Sequence, residues 1–183
     1  MPEIIQANTI AGGGQQDPYY SAGAPSSGTN EVWTLTIGGS SLGGTFKLAA
    51  GPNISAAISW SATNATLISN IQTALNALPT IGASGVTVAA GTLSSGIGTL
   101  TITFNGGNMA ALALPSGFLT VAVSSTLTGT SPTLAISQTT AGVTATARNA
   151  AVGAMLLDNV NGKLYINTGT NLVPTWTVVG TQT

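Results

Sequence analysis

The chain has no cysteine and no histidine, and its 183 residues include only three basic and four acidic side chains. Without cysteine there is no disulfide and no thiolate ligand for a metal. Without histidine there is no imidazole to serve as general base, so a serine nucleophile would have no activator. Lys47 and Lys163, on strand positions expected to be exposed, are poor substitutes. The carboxylates are Glu3, Asp17, Glu31 and Asp158. Three lie in or beside the first thirty residues and the fourth in a hairpin loop, so no pair is placed to share a cleft for acid–base work. Lys47, Arg148 and Lys163 cannot form the basic stripe that phosphate neutralisation requires, which sets nucleic acid aside as a direct partner.

Weaker motifs fare no better. Gly12-Gly13-Gly14 and Gly106-Gly107 lack the lysine and the following helix of a phosphate cradle. Asp158 with Asn159 and Asn161 faintly resembles an oxygen-rich calcium loop, but a single carboxylate makes for weak affinity, and a plain hairpin loop is the better reading. The expectation is therefore no catalytic residue, no cofactor and no metal. Long apolar runs are also missing. The best, Met109 to Leu114, is about a third of the ~20 residues of a membrane span and ends at Pro115. Met1-Pro2-Glu3 opens neither a basic n-region nor an apolar h-region, so no signal peptide and no membrane partner are expected.

What remains is an apolar, neutral chain. Hydrophobic residues make up 43% and charged ones 4%, against the ~25% charge usual in soluble domains. From Leu48 to Ala147 there is no charged side chain, and Thr, Ser, Asn and Gly supply the polarity. Disorder needs the opposite balance. Such a surface lacks the self-repulsion that keeps monomers apart. It fits either a robust β-rich domain that tolerates low charge or a protein whose surface meets other protein in a permanent assembly.

One helix organises the pattern. In Asn64 to Leu78, Leu67, Ile68, Ile71, Leu75 and Leu78 recur on a single face, Thr63 or Asn64 can cap the start, and Pro79 stops it. Around it the period is that of strands. Trp33, Leu35 and Ile37 alternate with threonines. Gly38-Gly39 through Gly43-Gly44 read as a turn into a second strand, Thr45 to Ala50, with Phe46 and Leu48 inward. Ile54, Ala56, Ile58 and Trp60 predict a third strand. Val86 with Val88, then Leu100, Ile102 and Phe104, follow the helix. Phe118 to Val123 and Leu134 to Ile136 add two strands, separated by the loop-like STLTGTSPT. Outward threonines need no special function, because Thr suits a strand.

Residues 1–30, rich in Gly and Pro and without apolar period, read either as a floppy tail or as an extended arm. Its anchors are expected to be Tyr19 and Tyr20, which combine contact area with a polar tip and are the candidate partner-binding residues. Lacking a core face, the arm should be removable (residues 1–28) without loss of stability. Residues 143–183 read as a linker followed by a small β element, with Asn161-Gly162 as its hairpin turn. The fold class is α+β: mainly antiparallel sheet with one helix packed on a face, an N-terminal arm (1–30), the main domain (31–142), and a C-terminal β element (143–183).

Two stretches resemble known material. EVWTLTIGG, GGTFKLAA, ISWSATNATLISNIQTALNALPTIGASGVTVAAG and GTLTITFNGG together resemble a module that recurs in tailed-bacteriophage virion proteins and some bacterial surface proteins. Residues 31–142 carry this likeness, with a helix less charged than the module usually has. AMLLDNVNGKLYINTGTNLVPTWTVVG resembles C-terminal β elements of phage head-decoration and fibre proteins, through Leu157-Asp158, Asn161-Gly162-Lys163-Leu164-Tyr165 and Trp176. The resemblance implies a non-enzymatic virion structural protein made in the host cytoplasm, a decoration protein on the capsid exterior. Its partners would be the major capsid protein and itself, as a homotrimer where hexamers meet. A tail-tube or tail-fibre component is the alternative within the same class. A bacterial surface or carbohydrate-binding domain is the alternative outside it; there Trp33, Trp60 and Trp176 could stack on sugars, although their strand phase points inward.

Overall fold

A computed structural model describes residues 19–106, 109–110, 112–122 and 125–181. The fold is β-rich, mostly antiparallel, with one α-helix among the described residues. Two compact units divide the chain: Asn30–Gly142, and Met1–Thr29 together with Val143–Thr183.

In the unit Asn30–Gly142 the long strand β2 (Val32–Phe46) is central. One edge of Val32–Ile37 pairs with β7 (Gly98–Phe104), and β7 pairs in turn with β6 (Val86–Ala90). The other edge of β2 pairs along its whole length with β9 (Thr126–Thr140), and Thr45 and Phe46 also meet β5 (Ile58–Ser59). A smaller sheet joins β3 (Leu48–Ala50) to β4 (Asn53–Ile54) and β8 (Leu119–Val121). Trp33, Leu35, Ile37, Leu100, Ile102 and Phe104 are buried, as their alternation predicts.

The helix α1 (Asn64–Asn76) packs along β6 and β5. Leu67, Ile71, Leu75 and Leu78 are buried, with Ala74 beside them, whereas Ile68 is only partly covered. Thr63 holds the N-cap position without a side-chain cap bond. Asn64 does not cap either: its side chain accepts from the Gly96 amide (2.9 Å) and donates to the Leu93 carbonyl (2.9 Å), tying the helix start to the turn before β7. The uncharged polar face has a structural task. Asn76 Oδ1 accepts from the Val86 amide and Gln72 Oε1 from the Val88 amide, both at 2.9 Å, so the helix satisfies the backbone of β6.

Three expectations change. The glycines from Gly38 to Gly44 do not turn the chain, because β2 runs straight through them with register shifts. A Cβ at Gly38 would meet Thr133 Oγ1, and Gly44 (φ +79°) lies against the Thr126 carbonyl. Both strands approach too closely for side chains there, so the glycines build bulges rather than a loop. STLTGTSPT is likewise strand, its threonines lying opposite those glycines in β9. In the expected third strand the phase fails: Ile54 is exposed and Ser55 buried, its Oγ accepting from the Leu48 amide and donating to the Ala56 carbonyl.

In the other unit, β1 (Tyr19–Ser21) lies parallel to β10 (Met155–Asp158), which pairs antiparallel with β11 (Lys163–Asn167), and β11 with β12 (Trp176–Val178). The core is Leu156, Tyr165 and Trp176 with Ala147, Ala150 and Ala154. The stretch 143–152, expected as a linker, supplies two of those alanines, and Val143 exchanges backbone hydrogen bonds with Thr29. Residues 19–29 therefore belong to a folded unit rather than to a free arm; the remainder of the expected arm, 1–18, lies outside the described residues. Asn161-Gly162 makes the predicted hairpin, with Gly162 at φ +64°.

Candidate functional site

The two expected partner contacts sit on β1. The Tyr19 ring packs edge-on against Trp176, centroids 6.5 Å apart at 66°, and joins the small core. Tyr20 is half-buried and paired in register with Leu157. Trp33 and Trp176 are buried, and Trp60, half-buried, donates its indole N–H to the Gly96 carbonyl (3.0 Å).

Both described carboxylates are engaged by donors of their own chain. Glu31 is wholly buried. Its Oε1 accepts from the Trp33 indole (2.7 Å) and from the Gln138 side chain (2.8 Å). Its Oε2 accepts from the amides of Leu114 (2.9 Å) and Gly142 (3.3 Å). This node gathers the start of β2, the end of β9 and the loop before β8. The strand phase contained the signal: Glu31 stands two residues before Trp33, on the same inward side.

Asp158, also buried, closes the β10–β11 loop by accepting from the amides of Val160 (2.9 Å) and Asn161 (3.1 Å) and from the Asn161 side chain (2.6 Å). This is an Asx-type loop whose carboxylate is saturated by donors, the plain-hairpin reading of Asp158-Asn161. Burial pushes its carboxyl up. Donation from the Asn161 side chain, and from the Asn161, Val160 and Gly23 backbones, outweighs that and holds it below its ordinary value. A lowered carboxyl contributes stability that is fully present above the unfolded value, about pH 4, and is lost as pH falls through the folded value. Acid unfolding followed by Trp176 fluorescence should therefore steepen below about pH 4 in the wild type. Asp158→Asn should lower stability at neutral pH and flatten that acid limb; parallel curves would show that Asp158 is not the group responsible.

Asn167 is a third node, missed in the sequence because a single Asn in a strand carries no periodic signal. Buried, it donates to the Ala150 carbonyl (2.9 Å) and accepts from the amides of Gly169 and Thr175 (2.9 Å each), shaping the loop before β12.

Among the described residues there is no group of three or more His, Cys, Asp or Glu side chains able to hold a metal, and no helix long and apolar enough to cross a membrane. A groove of about 300 Å³ runs between β5 and α1, lined by Ala56, Ala57, Ala74 and Ala77. Its amide, Asn70, already donates to the Ser59 carbonyl (2.9 Å). With Ser59 and Thr73 as the other polar side chains of its lining, the groove presents mostly small apolar surface.

The least occupied feature is the outer edge of β9. Its fifteen residues carry no charge, most are exposed, and among the described residues only β2 pairs with it. No protein-family model matches the chain, and no curated protein matches its sequence.

Proposed function

We propose that this chain is a non-enzymatic structural protein of a tailed-phage virion, a decoration protein that binds the major capsid protein on the outer shell. The observation that carries this reading is the charge-free span from Leu48 to Ala147, which includes a long, exposed strand edge. A free monomer gains nothing from such a surface, whereas close subunit contact does not have to desolvate charge. The carboxylates of Glu31 and Asp158 hold backbone in place, which is an architectural use of the only acidic groups among the described residues. Synthesis takes place in the host cytoplasm, and the protein assembles on the particle as a homotrimer.

Attachment then rests on apolar burial and backbone hydrogen bonds, since exposed ion pairs are worth only ~0–1 kcal/mol each. Occupancy on sedimented capsids should be nearly constant from low to high salt. Steep release by salt would reveal a charged docking site and overturn this account of binding. Deleting residues 1–18 should lower occupancy, whereas deleting 1–28 also removes β1 and should unfold the unit around Trp176. Tyr20→Ala tests the remaining tyrosine contact, because Tyr19 is engaged by Trp176. Electron microscopy of labelled protein on virions places it on head or tail; a tail position would replace the capsid reading by that of a tube or fibre component.

A further inference from the structure

The two outer edges of the main sheet are treated differently. The Glu31 carbonyl accepts from the Phe104 amide, which sets the alternation of peptide groups across the sheet. Odd residues of β2 face β7 and even ones face β9. Carried through the registers, the outward peptide groups of β6 are those of Val86, Val88 and Ala90, and those of β9 from residue 133 on are Leu134, Ile136 and Gln138. On β6 the outward amides of Val86 and Val88 are taken by Asn76 and Gln72 of the helix. On β9 no described group takes them.

Protection is also uneven along β9 itself. Its first half carries Gly129 (φ 128°), Ser131 (φ 49°) and Pro132, the kinks and missing N–H with which proteins blunt an edge. From residue 133 to 140 there is no proline, no glycine and no charge. Among the described residues that segment is left open as a template for another strand.

We infer that residues 133–140 of β9 pair antiparallel with the same segment of a second copy, across a two-fold axis, so that one sheet runs through both subunits. The edge is complementary to itself. With the axis at Ile136, outward groups meet outward groups: Ile136 faces its own copy and Leu134 faces Gln138. These exchange about six backbone hydrogen bonds, two for each hydrogen-bonded pair. The side chains agree with that register. On one face Ile136 meets Ile136 and Leu134 meets Gln138; on the other Ala135 meets Ser137, small and uncharged. An isologous contact of this kind requires no second surface. The inference does not depend on the virion reading. It concerns only this one contact, which doubles whatever assembly the rest of the chain forms.

The test is mass in solution. Ala135→Lys with Ser137→Lys, both at exposed positions, places four ammonium groups together across the axis, while the lysines meet only Thr36 and Thr34 on β2. Sedimentation equilibrium at tens of micromolar should give the wild type twice the mass of this variant, with the variant's circular dichroism unchanged at 25 °C. Hydrogen exchange provides the second measurement: the Leu134, Ile136 and Gln138 amides should be protected in the wild type and exposed in the variant. Equal masses would overturn the proposal. So would a halved mass with those three amides exchanging freely in the wild type, since the contact would then lie elsewhere. Whether the variant is monomer or trimer judges the homotrimer separately.

Discussion

Glu31→Gln should destabilise the unit Asn30–Gly142 by about 3–5 kcal/mol, since each buried polar group left without its partner costs about 1–3 kcal/mol. The carboxylate accepts from four donors, two at each oxygen. A glutamine amide keeps one oxygen and puts an NH2 group at the other position. That NH2 must face either the Trp33 indole and the Gln138 amide, or the backbone amides of Leu114 and Gly142. In both orientations two buried donors lose their acceptor and meet another donor. The site is tight on the Gly142 side, since even a Cβ there would strike the Leu112 carbonyl and approach Glu31 Oε2. Trp33→Phe is the informative comparison. It removes one donor and leaves the carboxylate with three, so beyond the change in packing its polar cost should be far smaller. Urea unfolding of both variants, read by Trp60, measures the difference. A loss for Glu31→Gln within the ~0.5 kcal/mol scatter of surface substitutions would show that the node does not hold the strands together.

The parts of the fold visible in the sequence are those set by local period. Trp33, Leu35 and Ile37, or Leu100, Ile102 and Phe104, alternate because one face of each strand must be buried, and no distant residue is needed to read that. The helix is legible for the same reason, from Leu67 to Leu78. Features decided by a partner far along the chain were not legible. Gly39 and Gly44 adopt positive φ, which serves a turn and a bulge equally well. Only the presence of Thr126–Thr133 alongside them selects the bulge, and that partner lies more than 80 residues away. The phase error at Ile54 has a local origin instead: Ser55 is inward, where its hydroxyl accepts from the Leu48 amide seven residues earlier, and apolar period alone does not register such a polar requirement. The packing of Tyr19 is not legible locally, because its neighbours Leu156 and Trp176 stand at the other end of the chain. The open edge of β9 was hidden by Gly129 and Pro132, which make the segment look like a loop while blunting only half of it.

Leu75→Ala should cost this same unit about 3–4 kcal/mol, within the range for buried leucines replaced by alanine. Leu75 is wholly buried where α1 meets the sheet. The cost of such a cavity depends on whether the surroundings can close over it, and here the helix is not free to do so. Gln72 and Asn76 bond its flank to the backbone of β6, while Asn64 fixes its first turn to Gly96 and Leu93. Sliding α1 inward to fill the space would break those hydrogen bonds, so most of the void persists. Ile68→Ala removes a side chain of the same size from a partly covered position on the same helix, and should cost less than half as much. Urea unfolding with Trp33 and Trp60 as reporters gives both values, with the m-value expected to stay constant because the surface exposed on unfolding hardly changes. Equal losses at the two positions would mean that the helix is seated about a different axis. If Gln72→Ala, which frees the flank, makes Leu75→Ala less costly in the double variant, the hydrogen bonds to β6 are what keep the cavity open.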